Sequence, residues 1–102
     1  MSLRLNRRNY RIYRAYRALL DEKLTELMLY AKELCPEAIV EASSTSYEDE
    51  DGHVDIFPPP SLSEEEEERI ELAVAARAGD IFEETGLFIL CAAFDRPEKP
   101  QG

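Results

Sequence analysis

The 102-residue chain contains no tryptophan, a single histidine (His53), two cysteines (Cys35 and Cys91) and four glycines. Two cysteines are too few for a disulfide scaffold, and with one histidine they offer no zinc-ligand spacing. A reduced, cytoplasmic protein of bacterial type is the expectation. Long apolar runs are also missing. The longest, residues 87–94, is far short of the roughly 20 residues that span a bilayer. The N-terminal arginines lack the apolar stretch and small-residue cleavage site of a secretory signal. Cations are scarce: 12 Lys and Arg face 22 Asp and Glu, a net charge of −10. Such a chain is repelled as a whole by nucleic acid and by anionic membranes. What remains is one domain's length with 44% apolar residues, enough for a core and too many for a disordered chain of this charge.

The charge is unevenly placed. Residues 1–20 carry six arginines and no acid, which leaves a balance of −16 for the rest. Residues 10–34 read as one amphipathic helix, with Ile12, Tyr16, Leu19, Leu20, Leu24, Leu27, Ala31 and Leu34 on one face. Residues 1–9 form a basic arm before it, and Pro36 ends it. Residues 38–47 and 53–58 have strand character, joined by the acidic turn Glu48–Gly52. That turn predicts an exposed, mobile hairpin tip in which Gly52 takes positive φ. Ser61 or Ser63 can cap a second helix, each with a glutamate three residues on, and Gly86 can end it. Ile70, Val74, Ala78 and Ile81 form its stripe. The run 87–94 then reads as a strand apolar on both faces, hence central or covered by a partner. Residues 95–102 are a polar tail.

This order, α-β-β-α-β, predicts an α+β domain over residues 10–94, with two helices packed on one face of a small three-stranded sheet. The opposite sheet face is left open. A homodimer through the apolar last strand or that open face is the simplest way to cover it.

Three places invite chemistry. If Tyr47 pairs near His53, one hairpin face collects Glu41, Ser43, Thr45, Tyr47, His53, Asp55 and Phe57, while Val40, Ala42, Val54 and Ile56 face the helices. Of these, Glu41, Ser43, Tyr47, His53 and Asp55 are the candidate ligand-binding residues, because a histidine beside carboxylates can move protons. No nucleophile–base spacing accompanies them, so no catalytic residue is assigned. The acidic turn resembles part of a calcium loop, but Tyr47 and Pro58 occupy its two end-ligand positions. No metal and no cofactor are expected. Arg4, Arg7, Arg11 and Arg14 recur every three or four residues and form a candidate basic patch. With Tyr10, Tyr13 and Tyr16 nearby, the patch could serve nucleic acid, but the net charge argues for pairing with acids of this protein or its dimer mate.

The succession of elements also resembles a minimal nucleotidyltransferase domain, with Ala42-Ser43 at the family's Gly-Ser and His53-Val54-Asp55 at its Asp-x-Asp. The glycine and one metal-binding aspartate are replaced, so the resemblance implies a degenerate, non-catalytic relative. The reading is therefore a small non-enzymatic interaction or accessory domain, homodimeric, with a possible protein partner and no membrane role. Alternatives are a ligand-binding or enzymatic hairpin face around Glu41, His53 and Asp55, and nucleic-acid contact through the arginine helix. Cys91 reads as a core or interface side chain; Cys35, just before Pro36, could be exposed and reactive, but no basic neighbour is evident to activate it.

Overall fold

A computed structural model describes residues 7–45 and 48–95. Helix α1 runs from Arg7 to Leu34, beginning three residues inside the expected arm, since nothing before Tyr10 breaks a helix. Leu20, Leu24, Leu27 and Ala31 recur at helical spacing and are buried. One turn further, the Cys35 N–H still donates to Ala31 O at 2.9 Å, which carries Cys35 onto the same stripe. Cys35 is therefore buried rather than exposed. The stripe outruns the sheet at its other end: Ile12, on the same side of the helix, is 63% exposed. At about 1.5 Å per residue, residues 7–19 extend roughly 20 Å beyond the first buried leucine.

Strand β1 (Ile39–Ser43) pairs antiparallel with β2 (Gly52–Phe57), helix α2 (Glu64–Thr85) crosses over, and β3 (Ile89–Ala93) returns parallel to β2. The sheet order is β1-β2-β3. The expected α+β architecture is thus the one found, with both helices contributing to one core against the sheet. The apolar β3 is an edge strand and not a central one. β1 already occupies one side of β2 as its hairpin partner, so the crossover can only land on the other.

Alternation divides the sheet. Val54 and Ile56 are wholly buried, with Val40, Ala42, Cys91 and Ala93 packed around the same core. Gly52 belongs to β2 and is not among the positive-φ residues. Its glycine is required by crowding: a Cβ there would meet Ser43 O at 2.9 Å and Leu24 Cδ2 at 3.3 Å. Helix α2 starts and stops as its sequence dictates. Ser63 Oγ accepts from the Glu66 N–H at 3.2 Å and donates to Glu66 Oε1 at 3.1 Å. Four glutamates occupy the first turn, where the helix dipole favours them. Gly86, at φ 80°, closes the C-terminus with its N–H on Phe82 O.

Candidate functional site

The hairpin register differs from expectation. Ser43, not Tyr47, lies opposite His53, and Glu41 lies opposite Asp55. The shift is four residues, an even number, so the same side chains stay on the same face. Glu41, Ser43, His53, Asp55 and Phe57 therefore share the open face as predicted, whereas Tyr47 lies outside the described residues. The His53 ring sits between two carboxylates, with Nδ1 4.0 Å from Glu50 Oε2 and Nε2 3.8 Å from Asp55 Oδ2. Both separations exceed hydrogen-bond length, so these pairs act through charge once the imidazole is protonated. Phe57 and Phe94 meet at one end of this face, with ring centroids 6.0 Å apart.

The acidic turn is not a loose tip. Glu50 is 5% exposed, and its Oε1 accepts the Glu48 N–H at 3.0 Å. Asp51 ties three elements together. Its Oδ1 accepts from Tyr16 Oη on α1 at 2.7 Å, and its Oδ2 accepts the Phe88 N–H before β3, also at 2.7 Å. Its own N–H donates to Phe88 O at 2.7 Å. The bond to Asp51, helped by burial and by the aspartate's charge, raises the Tyr16 phenol above its ordinary pKa. Sequence alone cannot tell a clamping aspartate from its three acidic neighbours. Among the described residues, no group of three or more His, Cys, Asp or Glu side chains is placed to hold a metal ion.

Of the candidate basic patch, Arg4 and the side chain of Arg7 lie outside the description. Arg11 and Arg14 are exposed on the projecting part of α1, with the Arg14 guanidinium 5.8 Å from the Tyr10 ring centroid. Arg17 pairs with Asp21 one turn on, at 3.6 Å. The closest cation–carboxylate contact between the helices lies elsewhere. Arg77 of α2 meets Glu26 of α1 at 2.8 Å. Burial opposes ionisation of Glu26, but hydrogen bonds from Arg77 and Lys23 overcome it and lower its pKa.

The last strand has the most unusual surroundings. The Phe94 N–H donates to Ile56 O and Phe88 O accepts from Asp51, so even-numbered residues of this stretch turn their backbone groups to β2. Ile89, Cys91 and Ala93 therefore turn theirs to the sheet's outer rim. Ile89 is buried, and the Ala93 N–H is taken by Glu71 Oε2 at 2.7 Å. Cys91, half-buried between them, is the open point of the rim. Burial first, and the charge of Asp55 second, push its thiol up to about 12, so it is a neutral apolar group near pH 7.

Beside this rim lies an apolar groove of about 410 Å³ between α2 and β3, floored by Ala75, Ala78 and Gly79 and walled by Phe82, Phe88 and Leu90. Phe82 and Phe88 meet edge to face, with centroids 6.2 Å apart, and Phe82 is 52% exposed. A Cβ on Gly79 would meet nothing within 4 Å, so no internal contact requires glycine there. The sequence carried a signal for the groove: Gly79 and Phe82 lie off the buried stripe of α2. No helix among the described residues is long and apolar enough to cross a membrane. The chain matches no family model, no curated protein and no solved structure.

Proposed function

We propose that this chain is a non-enzymatic association module that joins a second copy of itself along β3. The observation carrying this reading is an edge strand with no charged residue from Gly86 to Phe94, lying beside an uncovered apolar groove. Edge strands that must stay single are normally guarded by lysine, proline or inward charge. The strand itself carries none of those; its one guard is Glu71 of α2, which takes the Ala93 N–H at one end and leaves Cys91 open. An aromatic side chain buries 150–250 Å², so the roughly half-exposed Phe82, Phe88 and Phe94 together offer about 300 Å² per copy. That is over a third of the roughly 800 Å² each partner contributes to a standard interface. The mid-helix Gly79 supports the same reading, since it weakens α2 while allowing close approach of another backbone.

Sedimentation velocity of the full chain tests the proposal. A dimer is expected at micromolar concentration. Leu90→Lys puts a charge beside the groove, and Cys91→Pro removes the outward N–H without touching the ladder to β2. Each should convert dimer to monomer while circular dichroism stays unchanged. A wild-type chain that remains monomeric at several hundred micromolar overturns the reading.

A further inference from the structure

Beyond self-association, we infer that the open face of the sheet, turned away from both helices, docks a basic amphipathic helix of another protein. This does not depend on β3 pairing, because the whole face is present in a single copy.

Strand partners in register share a face. Ile39 stands opposite Phe57, and the Phe57 ring meets Phe94 at 6.0 Å, which lays an apolar row across all three strands. Ile39 and Phe94 are each 47% exposed. Leu90 and Ala92, opposite His53 and Asp55, carry the apolar surface along β3. A solvated sheet face is ordinarily polar, and an apolar surface bordered by charge marks a protein contact. The border here has one sign. Glu41 and Asp55 stand directly opposite each other, a like-charge pair that costs stability in the isolated sheet. His53, beside Asp55, lies next to a further carboxylate, that of Glu50. Every lysine and arginine among the described residues belongs to α1 or α2, behind the sheet. Arg96 and Lys99 lie outside the described residues.

These features set the chemistry of the occupant. It must offer apolar side chains to the row and to β3, and cations to Glu41 and Asp55, which excludes nucleic acid and anionic membrane. The backbone groups of β2 are taken up in ladders to β1 and β3, so an extended strand lying on the face would leave its own backbone unsatisfied. A helix satisfies its backbone internally. A five-residue strand such as β1 is about 17 Å long, which three turns of helix, about 11 residues, span. The expected partner therefore carries apolar residues at three- and four-residue spacing along three turns, flanked by lysine or arginine.

Fluorescence anisotropy of the full chain at pH 7.5 and ~0.15 M salt tests this. The probe is a labelled helical 18-residue peptide of leucine and lysine in amphipathic order. Micromolar binding is expected, and a scrambled peptide of the same composition should bind at least tenfold more weakly. Glu41→Lys and, separately, Ile39→Lys should each weaken binding about tenfold. Both lie on β1, across the sheet from β3, so self-association and circular dichroism should stay unchanged. Reversing the acids at the start of α2, with Glu64→Lys plus Glu68→Lys, should alter binding less than threefold. No binding at 100 μM, equal binding of the two peptides, or binding that resists both β1 variants overturns the inference. Binding that emerges only with Arg96→Ala plus Lys99→Ala also overturns it and assigns the face to the chain's own tail. Self-association lost with Ile39→Lys overturns it in favour of a second copy. A wild-type chain that stays monomeric yet binds the ordered peptide sinks the β3 reading and leaves this one standing.

Discussion

Replacing Asp51 with alanine should be the most damaging single change in the acidic turn, although Asp51 is neither its most buried residue nor its centre. The substitution removes the acceptor for the Tyr16 hydroxyl and for the Phe88 N–H, each held at 2.7 Å. A hydrogen bond to a charged group contributes about 1.5–3 kcal/mol net. Both bonds are partly solvated here, so about 1 kcal/mol each is the appropriate scale, giving about 2–3 kcal/mol with the loosened start of β3. For a domain of this size, that lowers Tm by about 10–20 °C. Asp51→Asn can still accept from Phe88 and donate to the tyrosine oxygen, so about 1 kcal/mol is expected. Asp49→Ala, on an exposed neighbour, should stay within about 0.5 kcal/mol. Urea melts at one fixed chain concentration measure all three.

The pH dependence supplies an independent check. Because the folded state raises the Tyr16 pKa, the stabilisation is fully present below pH 10.0, the phenol's ordinary value, and is lost as pH rises through the folded value. Asp51→Ala should remove that alkaline loss. Equal stabilities for the Asp49 and Asp51 variants would refute the clamp.

Two further outcomes follow from the groove and the thiols. Gly79→Ala should stabilise the isolated fold by about 0.5–1 kcal/mol, since glycine weakens a helix interior and a Cβ there meets nothing. The same change should weaken self-association, so chemical denaturation and sedimentation should move in opposite directions. The two cysteines should react with a thiol reagent at pH 8 far more slowly in the native protein than in guanidinium. Cys35 is buried, and the Cys91 thiol is held up to about 12; rapid native labelling of either would contradict this.

The elements themselves were legible because local chemistry announces them. Pro36 stops α1, Ser63 with Glu66 starts α2, and Gly86 ends it, all within a residue or two of each residue's own backbone preference. The hairpin face was legible for a different reason. Side chains alternate with period two, so even a four-residue error in register left Glu41, Ser43, His53 and Asp55 together. Features set by distant segments stayed hidden. The placing of β3 at an edge depends on which side of β2 the hairpin had already filled. The role of Gly52 depends on Leu24, 28 residues earlier, and on Ser43 O across the ladder. The clamp at Asp51 joins residues 35 and 37 positions away, which no pattern within the turn can encode.

Glu71 has a consequence for how large an assembly can grow. By taking the Ala93 N–H it stoppers one end of the outer rim, while Ile89 at the other end is buried. An incoming strand therefore finds a frame centred on Cys91, too short to template a stack of strands of the kind that drives fibres. The far edge of the sheet differs in kind. There the Lys32 ammonium bonds Pro36 O and Ala38 O just before β1, and the exposed Glu41 puts a charge on the strand itself. If copies pair along β3 as proposed, a sheet with one short receptive rim and one charged rim should saturate after a single addition. Raising the concentration should then fill pairs and stop there, so that on this proposal a strongly apolar strand can sit at a surface without making the protein a polymer.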